Sequence, residues 1–317
     1  MNIVPFAANS HAKIWDDFLE TSSCSTFLHS YKFLSYHKNR FVDRSLLLFS
    51  DDTLLCILPA ASFIDNLSRV ISHPGSTYGG LVFSKQVTPE IFTKCLSEII
   101  KYFESIGITS LSVKLVPFIY SLNPSELHRY SLFQYGFTLS HSSLSSVVNL
   151  KHRLPLSSRR KRSLKKALIS SATISWDTYY LNQYWELLCD NLAIRHNCKP
   201  THSLAEIQDL FDRFPHNILL VTAIKDSRVC AGIIFFNNYP TFHAQYIASN
   251  VTGNNICALD LLFNAAFDFA SERDFSFFDF GISTTDGGTN LNNSLYKFKS
   301  EFGATPITYD TFTFSFS

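Results

Sequence analysis

The sequence predicts an α/β protein in two similar halves, divided near residue 150 into 1–150 and 151–317. Three observations predict it. Hydrophobic residues make up 46% of the 317, enough for one large core or two smaller ones. Apolar runs of strand length alternate with segments whose apolar residues recur at helical spacing. The alternation occurs once before residue 150 and again, more clearly, after it.

In the first half, residues 13–20 carry Trp15, Phe18 and Leu19 on one helical face, and 31–37 read as a second short helix. Strand-like runs follow at 45–49 and 54–60, with Asp51 and Asp52 between them as a natural hairpin turn. The loop 73–80 sets His73 and Tyr78 among Gly75, Gly79 and Gly80. Glycines that dense allow close backbone approach to a ligand, although a plain turn uses them equally well. A helix over 88–105, with Ile91, Phe92, Cys95, Leu96, Ile99, Ile100 and Phe103 apolar, leads to a strand over 111–115.

In the second half, a basic helix over 156–170 begins just after Pro155, where proline suits a helix start. A second amphipathic helix covers 178–194. A third begins at Ser203, whose partner Glu206 three residues on makes a capping box. Strands at 217–224, 229–237 and 241–249 are joined by connections short enough for antiparallel hairpins. A small-residue loop at 250–255 opens a helix over 257–273, whose buried stripe is Leu259, Leu262, Phe263, Ala266, Phe267 and Ala270. A strand at 275–280, a helix around 291–301 and a strand at 307–316 complete the chain. The order describes a mixed, mostly antiparallel sheet flanked by helices.

Composition narrows the function. The longest apolar runs are far shorter than the roughly 20 residues of a membrane span, and the first ten residues lack the flank and length of a signal peptide. The expected location is the cytoplasm. Seven cysteines are scattered singly with no CxxC pair, which reads as reduced thiols and predicts no metal site. The net charge of +1 gives no global attraction to nucleic acid, and none is expected as a partner. The exception is local: residues 151–166 hold eight Lys or Arg and no acid.

Four constellations could carry chemistry. The strand–loop–helix junction from His243 onward offers backbone N–H groups and the positive pole of a helix, which suit phosphate, while Gly253 permits positive φ and close approach. An ordinary turn would look the same. The basic helix includes Arg159 and Arg160, which could grip a diphosphate or simply face solvent. Arg195 and His196, with His202, form a polar cluster between helices that could line a pocket, although His202 also suits a capping role. Asp279 ends the strand beside 241–249, where it could take a proton or pin the glycine turn at Gly281. Period-two geometry puts His243 and Gln245 on one face of their strand. No nucleophile elbow, phosphate-binding Walker loop, HExxH or dinucleotide fingerprint is present.

Residues 241–281, with TFHAQYIASN, VTGNNICALDLLFNAAFDFA and FSFFDFGIST, resemble the acetyl-coenzyme A motif of the GNAT acyltransferase superfamily. With SHPGSTYGGLV at 72–82, RRKRSLKKA at 159–167, RHNCKPTHSLAEI at 195–207 and LYKFKSEFGA at 295–304, the chain resembles the two-domain FemAB-like branch. The resemblance implies two tandem GNAT-like domains and an acyl-coenzyme A cosubstrate held by Tyr246, Ile247, Ala248, Gly253, Asn254, Asn255, Ile256 and Ala258. The loop Thr252–Asn255 stands where relatives carry arginines, so backbone donors would hold the phosphates. The tyrosine that many relatives use to protonate the departing thiolate falls near Tyr296. His243 and Asp279 are the candidate bases.

The resemblance further implies an N-acyltransferase acting on a nucleotide-linked, dTDP-type amino deoxy sugar for surface polysaccharide. Its acceptor would be bound by His73, Tyr78, Arg159, Arg160, Arg195, His196, His202 and Gln245. Two alternatives stand beside it: an aminoacyl-tRNA-dependent peptidoglycan ligase and a non-catalytic module that grips an anionic partner.

Overall fold

The computed structural model describes the chain except Ser23, Lys85, Gln86 and Ser317, together with the side chains of Arg195 and His196. The chain forms two compact units. The first comprises Met1–Ser143, Thr285–Asn290 and Thr308–Ser317; the second comprises Leu144–Thr284 and Leu291–Ile307. The C-terminal strand thus returns to the first unit.

In the first unit, strands Leu46–Ser50 and Thr53–Leu58 form the expected hairpin, with Asp51 at φ 51° in the turn. They are flanked by Asn2–Pro5 and Val82–Phe83 in one antiparallel sheet. Elsewhere in this unit, Ser110–Lys114 pairs parallel with Asn66–Ile71 and antiparallel with residues 311–315. Helix Pro89–Ser105 starts where Thr88 accepts a hydrogen bond from the Ile91 N–H and Pro89 fills the first position, a strong start signal. It buries Phe92, Cys95, Leu96, Ile99 and Phe103, one continuous helical stripe. Each large side chain so buried stabilises by roughly 1.5–3 kcal/mol.

In the second unit, β1 (Thr138–Asn149, entering from the first unit) is followed by α1 (Ser158–Leu168), β2 (Thr173–Ser175), α2 (Leu181–His196) and α3 (Leu204–Arg213). Then come β3 (Ile218–Lys225), β4 (Arg228–Asn238), β5 (Thr241–Ser249), α4 (Val251–Ile256), α5 (Ala258–Glu272), β6 (Phe277–Ile282) and α6 (Asn293–Ser300). The sheet order is β2-β3-β4-β5-β6-β1. Only the β5–β6 pair is parallel. Asp226 and Ser227, both at positive φ, make the tight β3–β4 turn. The Ser203–Glu206 capping box forms as expected.

Helix α5 buries Ala258, Leu262, Phe263, Ala266, Phe267 and Ala270 on the sheet. There they meet a stacked aromatic layer in which Phe235 and Phe242 lie 4.3 Å apart. Ten of the chain's 30 phenylalanines lie in or against this core.

Two local expectations change. Residues 251–256 are helical, because the Asn250 side chain accepts from the Gly253 N–H and caps them. Cys257 at φ 59° then separates α4 from α5. The twelve-residue strand β1, unforeseen in the sequence, sits beside β6.

Candidate functional site

The site begins where two parallel strands part. β5 and β6 pair only at Thr241–Phe277, Phe242–Phe278 and His243–Asp279. Beyond that point β5 runs on to Ser249 with no strand on its β6 edge among the described residues, leaving backbone donors and acceptors at a fork, apart from the Ser249 carbonyl, which accepts from Asn191 Nδ2 at 2.7 Å. On its other edge, β5 carries a bulge: Ile234 faces Tyr246 and Phe235 faces Ala244, so Gln245 is the extra residue. The bulge breaks the strict alternation expected between His243 and Gln245.

His243 and Asp279 meet at the fork. His243 Nδ1 lies 2.8 Å from Asp279 Oδ2, and both side chains are buried. The carboxylate is held from two further directions. Ser145 Oγ of β1 donates to Oδ1 at 2.6 Å, and the Gly281 N–H donates to the same oxygen at 2.9 Å. Gly281 takes φ 77°, so the glycine turn and the carboxylate pin each other. With Nδ1–H directed at the carboxylate, a neutral His243 carries its basic lone pair on Nε2, the arrangement of an oriented general base.

Lys299 of α6 is a further functional group at this end of β6. Its Nζ donates to the carbonyls of Gly281 and Ile282, each at 2.7 Å, and the side chain is 3% exposed. Burial lowers its pKa to about 8, against the pull of Asp279. Two carbonyls take two of its three protons, and the third has no acceptor among the described residues. Tyr296, one turn earlier on α6, is half-buried, and its hydroxyl bonds to no described residue.

The expected phosphate cradle is built differently. Gly253 is buried and does not take positive φ; a Cβ there would lie 2.2 Å from the Cys230 carbonyl. Its N–H is already given to Asn250. This glycine therefore serves strand–helix packing, not ligand approach. Of the residues expected to hold the cofactor, Asn254 and Asn255 are exposed, Ile247 and Ile256 half-buried, and Ala248 and Ala258 buried. Helix α5 has no side-chain cap at Cys257; the Asp260 N–H is given to the Cys257 carbonyl, so an anion there would meet the N–H groups of Ala258 and Leu259.

Arg160 departs most from expectation. It is 5% exposed, donating from Nη1 to both oxygens of Asp260 at 3.0 Å and from Nε to Glu301 at 2.9 Å. Its guanidinium also lies over the rings of Phe298 and Phe302. A cation so enclosed, with Nε and Nη1 committed to two carboxylates, holds the helices together and is not presented to a substrate diphosphate. Burial raises the Asp260 pKa while Arg160 opposes the rise. Arg159, in contrast, is largely exposed, with Glu301 at 3.7 Å.

On the other side of β5, His202 Nδ1 is 2.6 Å from the Tyr246 hydroxyl, and Trp185 packs edge-on against the same ring. Burial raises the Tyr246 pKa. Tyr246 is thus turned toward α2, and contact with a ligand at the fork falls to the backbone. The side chains of Arg195 and His196 lie outside the described residues.

His73 and Tyr78 belong to the first unit. Gly75 is a glycine because a Cβ would sit 2.0 Å from His37 Nε2, and Gly79 because it would sit 1.8 Å from the Ser72 carbonyl. The close approach is therefore made by the protein itself. Tyr78 is 1% exposed, bonded to Thr26 and packed on Tyr120. His73 is different. It borders a cavity of about 290 Å³ with Trp15, Tyr31, His37, Phe41 and Asp43. Its Nδ1 has no partner among the described residues. Ser145, Lys299 and His37 are not among the candidates the sequence singles out, although Lys299 lies within LYKFKSEFGA, one of the segments that carry the family resemblance.

No protein-family model and no curated protein matches this sequence. Solved structures do. FemX aligns with a TM-score of 0.72 and 10% identity over 100% of this chain and 98% of that one. L-PGS from Bacillus licheniformis aligns with a TM-score of 0.62 and 10% identity over 95% and 90%. A tandem GNAT protein from the clavulanic acid biosynthesis pathway aligns with a TM-score of 0.56 and 11% identity over 99% and 98%. These likenesses define the class of fold: a mixed α/β chain of two GNAT-like units. Among the described residues, no His, Cys, Asp or Glu group is placed to hold a metal, and no helix is long and apolar enough to cross a membrane.

Proposed function

We propose that the protein is an N-acyltransferase that transfers an acyl group from acyl-coenzyme A to the primary amine of a nucleotide-linked amino deoxy sugar of the dTDP type, for surface polysaccharide. The observation that carries this reading is the fork between β5 and β6 with a buried His–Asp pair at its apex. An extended pantetheine arm fits an unpaired strand edge, because it carries amide groups that hydrogen-bond as a strand does. Phosphates fit the uncapped start of α5 and the exposed turn at Asn254 and Asn255.

The amine nitrogen attacks the thioester carbonyl carbon, the C–S bond breaks and the thiolate leaves. His243 Nε2 takes the proton released by the amine, with Asp279 holding the ring and stabilising the imidazolium. Backbone N–H groups at the fork stabilise the developing oxyanion. Lys299 supplies positive charge nearby, and Tyr296 a hydroxyl to protonate the thiolate. The acceptor's diphosphate is assigned to the exposed Arg159.

Calorimetry with coenzyme A tests the reading. Micromolar binding is expected, weakened about tenfold in Asn254→Glu/Asn255→Glu by like-charge repulsion with the phosphates. These positions are exposed, so the fold is spared. Absence of binding at millimolar coenzyme A would sink the donor assignment, and charged tRNA would become the donor to test.

A further inference from the structure

Helix α1 has two faces of different character. Arg160 and Ala167 are buried on one side, where Arg160 reaches Asp260 of α5. At 100° per residue, the opposite side carries Lys161, Arg162, Lys165 and Lys166, with Leu168 on its flank and Ile169 just past the last turn. All six are exposed, Leu168 at 62% and Ile169 at 83%.

None of the four cations on this face has an acidic partner or hydrogen-bond acceptor among the described residues. The acids that come near α1, Asp260 and Glu301, are taken by Arg160 and Arg159 on its other flank. The face is therefore purely basic and tipped by two large aliphatic side chains that nothing in the second unit covers.

We propose that this face docks the protein peripherally on an anionic lipid surface. The cations meet the phosphate headgroups, and Leu168 with Ile169 enters the boundary between headgroup and acyl chain. The aliphatic pair decides between lipid and nucleic acid: a phosphodiester backbone would match the charges but leave Leu168 and Ile169 against water. The proposal does not depend on the acyltransferase reading, since none of these six residues is assigned to that site.

The test is co-sedimentation of the full chain with vesicles of phosphatidylcholine alone and with one third phosphatidylglycerol. Binding is expected only to the anionic vesicles. Lys161→Glu/Lys165→Glu should weaken it about tenfold or more. Leu168→Asn/Ile169→Asn, which leaves the charge unchanged, should weaken it severalfold as well. All four substituted side chains face solvent, so unchanged circular dichroism and thermal midpoint accompany the expected result. Failure to bind anionic vesicles overturns the proposal. So does binding indifferent to the Leu168/Ile169 change, or binding to bulk tRNA stronger than to the vesicles, either of which makes the face a site for polyanions in general.

Discussion

Two buried histidines, one in each unit, meet the same difficulty in opposite ways. His243 is 7% exposed and His73 is 6% exposed, so neither ring is solvated by bulk water. His243 is answered by the protein: Asp279 binds its Nδ1, and Ser145 and the Gly281 N–H fix Asp279 in turn. His73 Nδ1 is left without a partner among the described residues, at the wall of a cavity, with the His37 ring 4.8 Å away. A buried imidazole that the protein has satisfied is pre-set in orientation and tautomer, which is what proton transfer needs. One that the protein leaves unsatisfied costs about 1–3 kcal/mol and is best explained by a partner that arrives from outside.

The comparison breaks most visibly in the second unit. His243→Ala should lower kcat by about a hundredfold to ten-thousandfold, the usual contribution of a positioned base, with the coenzyme A Kd little changed. Asp279→Asn should give a smaller loss of the same kind, because the ring remains but its tautomer is no longer fixed. Steady-state kinetics beside calorimetry on the same preparations separate the two effects. Equal loss of kcat and cofactor binding would mean that the pair only supports the fold.

Next in size is the contrast between adjacent arginines. Arg160→Ala removes the partner of a buried Asp260 and should destabilise by about 3–5 kcal/mol. Arg159→Ala touches an exposed pair at 3.7 Å and should cost under about 1 kcal/mol while raising the acceptor KM. Chemical denaturation of both variants decides it. Similar midpoints would overturn the division of α1 into a structural and a solvent side.

What could be read from sequence was what is encoded locally. The Asp51–Asp52 hairpin, the helix capped by Thr88 and the Ser203–Glu206 box each lie within a few residues of their cause. Strand β1 was missed because its sequence, TLSHSSLSSVVN, is serine-rich and lacks clean alternation; pairing with Phe277, Phe278 and Asp279 makes it a strand. His243 and Asp279 were both singled out, but what joins them was not, since Ser145 lies 134 residues from Asp279. The basic run at 159–166 looked free of acids, and within the run it is. The acids that neutralise Arg160 stand 100 and 141 residues away. The loop at 250–255 misled for another reason: Thr, Gly and Asn favour turns, yet the Asn250 cap makes a helical turn of the same letters.

The smallest expected effect concerns His73 and is read in stability against pH. Burial lowers its pKa from 6.5 to about 3, with His37 and Lys114 adding like-charge repulsion. The unfolded chain thus binds a proton below pH 6.5 that the folded chain refuses until about pH 3. The contribution is complete above 6.5 and is lost as the pH falls, by up to about 1.4 kcal/mol per pH unit. His29, lowered to about 4, adds a similar slope in the same unit, so the informative quantity is the difference between variants. His73→Phe removes the titrating group and the unpaired nitrogen together while keeping an aromatic ring against Phe41. Its denaturation free energy should match or exceed that of the parent by up to about 1 kcal/mol at pH 7, and the gap should widen toward pH 5. A ligand that donates to or accepts from Nδ1 would narrow the gap by stabilising only the parent chain. If the two chains lose stability in parallel between pH 7 and 5, His73 is already satisfied in solution and its contrast with His243 disappears.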